Sequence, residues 1–311
     1  MPTPEQVGFF INDVAFYSKK YIAPATDAAV YQAATGWMTS PKKRKLFDVT
    51  LSLHNNVFFV PKSNRSFDIK NADFSFFDIE NQTSATVPSV LGGSSKNYLV
   101  DRFGYQIKVQ TPEGINQEAI YYPYLQTSVS LWNGFEVVGK YSGKVKLKNG
   151  NYQVYGFGLK HNLSQYFKAL EKDKINLAAL LAYAKEEIAF GFLDVTTDYG
   201  GLGINRIAST INSYQLQISA SKEWRKFELM GSVIANRSNF KYNVSGETGV
   251  LEGLLHIQSG LNEKLKEVSS TKNNYFGEIS GRYQFDKIYL QTSIAFGKFA
   301  NANLSVQYEF N

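Results

Sequence analysis

The hydrophobic rhythm of the chain changes near Trp37. Before it, Val7, Phe10, Ile11, Val14, Tyr17 and Tyr21 recur at spacings of three and four, which marks one face of a helix. Thr3 and Pro4 suit an N-cap and a first turn, and the pattern predicts that Pro24 ends this helix and opens a short second one through Ala34. After Trp37 the period is two. Phe47, Val49, Leu51, Leu53, Val57 and Phe59 share one face, against Asp48, Thr50, Ser52, His54 and Asn56. Tyr214, Leu216, Ile218 and Ala220 alternate with Gln215, Gln217, Ser219 and Ser221, and Leu304, Val306, Tyr308 and Phe310 alternate with Ser305, Gln307 and Glu309. Each such segment reads as a strand with one apolar and one polar face.

Turn chemistry separates the strands. Asn133-Gly134 and Asn149-Gly150 are two-residue hairpin signals, and Glu223 to Arg225 and Asp286-Lys287 are tight as well. Twelve strands are expected, at 45–60, 66–79, 99–110, 122–132, 135–147, 151–162, 175–192, 213–222, 226–243, 273–285, 288–299 and 302–310, with room for fourteen if a further pair lies near 34–40 and within 80–98.

The polar faces carry Ser, Gln, Thr, Asn and Gly with scattered charges, not the Lys and Glu of a soluble sandwich. The apolar faces carry aromatics near strand ends, among them Phe59, Tyr155, Phe227, Tyr283 and Phe296. A transmembrane barrel needs this pattern, because lipid bathes its outside and closure leaves no unpaired backbone in hydrocarbon. The expected fold is an all-β, closed antiparallel transmembrane barrel of 12–14 strands spanning 35–311, preceded by a helical segment, 1–34, that plugs the lumen or docks in the periplasm. With a periplasmic C-terminus, short turns fall on the periplasmic side and the long segments 111–121, 193–212 and 244–272 fall outside. The connection 80–98 breaks this rule, being long yet periplasmic.

Composition narrows the class further. The 311 residues contain no Cys, which removes disulfides, thiolate metal sites and a cysteine nucleophile. The longest apolar run, Leu177 to Ala184, is far short of a membrane helix. No basic n-region precedes Ile11, as in a mature form whose leader has been removed. The net charge of +6 is spread along the chain and does not predict a nucleic-acid partner.

Leu304-x-Val306-x-Tyr308-x-Phe310 resembles the C-terminal signal by which bacterial outer-membrane barrels reach their assembly machinery. Phe47-Asp48-Val49-Thr50-Leu51-Ser52-Leu53, and Tyr155-Gly156-Phe157-Gly158-Leu159-Lys160-His161 with the helix after it, resemble an uncharacterised outer-membrane β-barrel family of the Bacteroidota. More remotely, the plan is similar to the long-chain fatty-acid transporter (FadL-type) barrels, which have fourteen strands and an N-terminal lumen plug. That family carries Asn-Pro-Ala near the end of the plug, where this chain has Ala23-Pro24-Ala25. The resemblance implies location in the bacterial outer membrane and passage of small hydrophobic molecules.

Candidate chemistry is sparse. Lys140, Lys144 and Lys146 share a face of one predicted strand and Lys160 joins them from the next, a basic stripe for the lumen. Such a stripe selects anions, or pairs with Glu136, Glu278 and Glu309 in a packed interior. His54 on a polar face lacks a nucleophile motif, so no catalytic residues, metal or cofactor are expected. Two functions compete: a transporter or channel for small hydrophobic molecules, and a non-enzymatic accessory subunit of a larger outer-membrane complex serving barrel assembly or protein secretion. Expected partners are outer-membrane lipid, the assembly machinery during biogenesis and other subunits of such a complex. The stripe Val7, Phe10, Ile11, Val14 and Tyr17 must be buried somewhere; the expected place is the lumen or its periplasmic mouth.

Overall fold

A computed structural model describes residues 2–197 and 200–310. Ten strands of these residues close into one barrel: β1 (Val49–Phe59), β2 (Ala119–Ser130), β3 (Phe135–Leu147), β4 (Gly150–Asn162), β5 (Ile175–Gly191), β6 (Arg206–Trp224), β7 (Phe227–Ser245), β8 (Ser270–Phe285), β9 (Ile288–Phe296) and β10 (Ala300–Phe310). Each strand is antiparallel to its neighbours in sequence. β1 closes the ring against β10, with Val49 opposite Phe310 and Phe59 opposite Ala300.

The alternation thus gives the closed antiparallel barrel, but ten strands replace the expected 12–14. The segments 66–79 and 99–110 are not in the wall. Ser66–Lys70 pairs with Ser84–Pro88, and Phe77–Ile79, Tyr98–Asp101 and Lys108–Gln110 form a small three-stranded sheet. Strands of three to five residues are too short to cross a bilayer, and their alternation serves packing on the N-terminal helix instead. All of 60–118 is therefore one excursion between β1 and β2. With it removed from the count, the anomaly at 80–98 disappears. The connections 131–134, 163–174, 225–226 and 286–287 lie at one end with the C-terminus, here the turn end. The long connections 60–118, 192–205 and 246–269 lie at the other, the cap end.

The wall sorts its side chains as a period of two requires. Leu51, Leu53, Leu181, Leu216, Ile218 and Val233 point outward and are exposed, while Ser52, His54, Gln217, Ser219 and Ser232 point inward and are buried. Leu304, Val306, Tyr308 and Phe310 are 39–50% exposed on the outer face. Outward aromatics bracket this band. Trp224, Phe227, Tyr283 and Phe285 stand toward the turn end, and Tyr155, Tyr183, Tyr214 and Tyr275 stand toward the cap. Above Tyr214 the outward positions of β6 turn polar, with Asn212, Thr210 and Arg206.

Helix α1 (Pro4–Ala34) runs from the cap into the lumen. Thr3 caps it, its hydroxyl accepting from the Gln6 amide while the Gln6 side chain accepts from the Thr3 amide. The helix continues through Pro24 instead of ending there. An interior proline costs about 3 kcal/mol. Here burial from Ala25 to Ala34 on every side but that of Asp27, mostly of small side chains that fit a narrow barrel, offsets it. The upper half is amphipathic. Phe10 packs on Phe76 and Phe77 at ring distances of 5.3 and 5.6 Å, and Tyr17 packs on Phe67 and Phe192. Asp13 accepts backbone N–H bonds from Ser75, Phe76 and Phe77 at 2.7–3.1 Å and so fixes the cap to the helix. Burial pushes the Asp13 carboxyl above its ordinary value, with the three amide donors opposing.

Of the two places expected for the stripe Val7, Phe10, Ile11, Val14 and Tyr17, the lumen or its periplasmic mouth, the turn-end mouth is not the one occupied: the helix enters the lumen from the other end and the stripe lies under the cap. The reason is topological. β1 starts at the turn end, so a helix that crosses the lumen to feed it must start at the opposite end.

If the exposed apolar band faces lipid, the outer face should be sensitive by height. Ile218→Arg lies within the band and should cost about 2–4 kcal/mol, seen as loss of the heat-modifiable folded form on a gel. Asn212→Arg, on the same face of β6 but above Tyr214, should leave that form intact. Equal loss at both positions would show that the band is not embedded.

Candidate functional site

The lower half of the lumen is filled by the segment Thr35–Lys45, a strap that leaves the end of α1 and passes to the start of β1. It carries no regular structure, because Gly36 breaks the helix. Gly36 has φ +71°, and a Cβ there would meet the Tyr124 hydroxyl, so only glycine suits the position. The strap's backbone groups are satisfied by the barrel wall, one strand at a time. The Gly36 amide donates to Glu278 Oε2 at 2.8 Å. Gln126 donates to the Trp37 carbonyl at 3.0 Å, and Asn162 to the Pro41 carbonyl at 2.8 Å. Asn301 donates to Thr35 Oγ1 at 3.0 Å.

Two lysines reach in from the wall. Lys140 Nζ donates to the Ala33 and Thr35 carbonyls at 3.0 and 2.7 Å and lies 4.6 Å from the Trp37 ring centre and 4.5 Å from that of Tyr124. The last turn of α1 has no basic residue of its own, so Lys140 supplies the cation that a helix C-terminus favours. Lys160 Nζ donates to the Ser40 carbonyl at 2.9 Å and pairs with Glu136 at 2.6 Å.

At the turn end the strap is latched by charge. Arg44 is buried and donates to Thr50 Oγ1 at 2.6 Å, to Glu309 at 2.8 Å and to Glu136 at 3.3 Å. Arg282 pairs with Glu309 at 2.6 Å and Glu228 at 3.6 Å. Glu228 also accepts from Ser40 Oγ at 2.8 Å and Ser221 Oγ at 2.6 Å. Arg44, Lys160 and Arg282 thus face Glu136, Glu228 and Glu309, three charges against three, inside one barrel mouth. Each ion has more than one partner, which is the condition for burying it. Outside the latch is a shallow cavity of about 280 Å³ with Lys43, Lys45, Arg225 and Lys226 on its rim.

The expected basic stripe is divided. Lys140 and Lys160 are in the lumen, but Lys144 and Lys146 are exposed. A bulge causes this: the β3–β4 register jumps between Ser142 and Val145, so the face parity of β3 inverts and Val145 and Leu147 take the inward positions. Of the acidic residues expected to pair with the stripe, Glu136 meets Lys160, Glu278 receives the Gly36 amide, and Glu309 meets Arg44 and Arg282. His54 stacks on Tyr124 at 4.5 Å and bonds Asn303 through Nδ1, with no nucleophile beside it among the described residues. Sequence reasoning missed Trp37, Arg44, Glu228 and Arg282. One signal was present. Phe135-Glu136, Phe227-Glu228 and Glu309-Phe310 each set an aromatic outward and a glutamate inward at the same end of the barrel, and three inward glutamates require cations to meet them.

Residues 4–310 match the family described as "Family of unknown function (DUF6588)", and the chain belongs to that family. No curated protein matches it. Among solved structures it is similar to the attachment invasion locus protein Ail of Yersinia pestis, at 8% identity over 86% of this chain and 100% of Ail, with a TM-score of 0.30. It is also similar to the translocator domain of the autotransporter NalP from Neisseria meningitidis, at 8% identity, 94% and 97% coverage and a TM-score of 0.34. The outer membrane protease OmpT of Escherichia coli gives 8%, 87% and 100%, and 0.31. At these scores the likenesses carry no argument, and the barrel rests on its own strand pairing.

Arg44→Ala should leave Glu136 and Glu309 buried with fewer partners, at a cost of about 3–5 kcal/mol. The expected outcome is a folded barrel whose strap is cut by added protease near Pro41, while the wild-type strap is protected. Equal protection in both proteins would mean that the latch does not hold the strap.

Proposed function

We propose that this DUF6588 protein is an outer-membrane β-barrel that acts as a gated channel, closed by its own N-terminal segment and opened when the strap leaves its latch. The observation that carries this reading is the kind of surface the strap rests on. Apart from the buried side chains of Trp37 and Met38, it is held by amides, hydroxyls and ion pairs, whereas a permanent core is held throughout by interdigitated apolar side chains. Separating neutral polar partners costs little when water enters to replace them, because each such bond is worth only about 0.5–1.5 kcal/mol net, which leaves the buried ion pairs of the latch as the larger barrier. The wall across the lumen is of the same kind. Gln215, Gln217, Ser219 and Ser232 are buried and bonded to one another along β6 and β7 at 2.8–3.2 Å. A conduit lined this way suits small polar solutes, so the expectation of hydrophobic cargo is set aside. The chain shares with the FadL-type plan an N-terminal segment in the lumen, but its ten strands depart from that plan's fourteen.

Outer-membrane location is supported by the closed wall, the exposed apolar band with its aromatic borders, and the asymmetry of short turns and long cap. The terminal strand, with Tyr308 and Phe310 outward, is the element we propose the assembly machinery reads. A second reading, an accessory subunit of a larger complex, is favoured by the basic rim at the turn end, which fits an acidic periplasmic partner. It is not favoured by α1, whose apolar stripe is already covered by the cap.

Tethering tests the gate directly. Thr35→Cys with Asn301→Cys places two thiols where a hydrogen bond now joins strap and wall. Purified protein in liposomes should pass small sugars slowly, Arg44→Ala should pass them at least several-fold faster, and the oxidised double-cysteine form of Arg44→Ala should be silent until reduced. Equal flux for all forms would refute a gated channel. Silence in every form, with an acidic protein retained from periplasm by the wild type and lost on Lys43→Glu with Lys226→Glu, would favour the accessory role.

A further inference from the structure

The outer wall carries a groove that the channel reading does not use. It has a volume of about 770 Å³ and lies across β4 to β8, near the upper edge of the apolar band. Strand register builds it from two rows. The upper row runs Phe157, Tyr183, Tyr214, Arg237, Asn273 on adjacent strands, each residue directly opposite the next. The row beneath runs Leu181, Leu216, Ala235, Tyr275. Ala235 makes the depression, since its small side chain lies between Leu216 and Tyr275. The rings of Phe157, Tyr183 and Tyr214 follow one another at 5.6 and 5.3 Å, so this side of the groove is a fixed aromatic wall.

Arg237 is the feature without a structural explanation. It is exposed on the outward face, on the boundary between apolar and polar rows, and makes no ion pair or hydrogen bond among the described residues. The nearest outward acid, Glu187, is already paired with Lys185 at 2.7 Å. Lys241, farther up β7, is likewise exposed and adds positive charge on the cap side. A guanidinium held at the depth of lipid headgroups, with tyrosines beside it and leucines below, offers bidentate donors to a phosphate and an apolar bed to an acyl chain.

We propose that this groove binds an anionic, phosphate-bearing membrane lipid, its headgroup on Arg237 and Asn273 and an acyl chain along Leu216 and Leu181. The inference rests on the reading that the barrel spans a membrane, because only then do these two rows lie at the interface. The occupant is a lipid and not free phosphate, since Arg237 is the one cation of the lining and, Asn273 apart, the outward side chains around it are apolar and aromatic.

The test uses the full chain, purified in detergent and titrated with phosphatidylglycerol or phosphatidylcholine while bound lipid is counted by native mass spectrometry. Wild type should retain phosphatidylglycerol in preference to phosphatidylcholine. Arg237→Gln should lower that retention about tenfold, as expected for loss of one charge-assisted contact. Ala235→Phe should lower retention of both lipids by filling the depression, and Arg206→Gln, at the cap end of β6, should change neither. Flotation with vesicles separates the two ideas. A protein that fails to float overturns the membrane reading and this proposal with it. One that floats, yet retains both lipids equally or is unaffected by Arg237→Gln, overturns the lipid site alone.

Discussion

The charge latch at the turn end is the constraint on which the rest of the molecule depends. A barrel with an inward polar face encloses carboxylates, and Glu136, Glu228 and Glu309 stand on three strands far apart in sequence. Buried without cations they would be costly, by several kcal/mol each even after relaxation. Arg282 and Lys160 come from the wall itself, but Arg44 comes from the strap, where it joins Glu136 to Glu309. The strap therefore completes the barrel's electrostatics, and its presence in the lumen is part of what makes this end of the wall stable.

From that anchor the other features follow in order. A strap fixed at the turn end and feeding β1 must come down through the lumen. Helix α1 above it therefore begins at the cap, and its upper apolar face needs cover there. The excursion 60–118 supplies that cover, joined to the helix by Asp13 and by ring contacts around Phe10 and Tyr17, together with the helical connection 246–269, whose Gly260 meets Ile11. The plug is thus held in two different ways. Its top is an apolar core with one buried carboxylate, and its bottom is a polar and ionic contact. Opening at the bottom exposes mostly groups that water satisfies, with Trp37 and Met38 as the apolar exceptions, whereas opening at the top exposes a larger apolar surface at roughly 25 cal/mol per Å². This difference makes the strap, and not the helix, the movable part of the gate we propose.

The outside of the wall follows a separate logic, and the two faces are independent because they alternate along every strand. Gln215, Gln217 and Ser219 point inward and Tyr214, Leu216 and Ile218 outward, so the proposed lining and the proposed groove can share β6.

Strict alternation made the barrel, its two faces and its outward-facing residues legible from the sequence, because which face a residue occupies depends only on a period of two that neighbouring residues enforce. The helical stripe and the Thr3 cap were legible for the same local reason. Strand number was not, since 66–79 and 99–110 alternate like wall strands and only pairing partners distant in sequence show that they close on themselves. The basic stripe failed at one residue pair, Gly143-Lys144, where a bulge permitted by pairing with β4 inverted every assignment beyond it. Arg44 stands among three lysines and no local pattern marks it; its burial comes from glutamates 92 and 265 positions away. Local periodicity decided the faces of this protein, and long-range closure of the ring decided what those faces enclose.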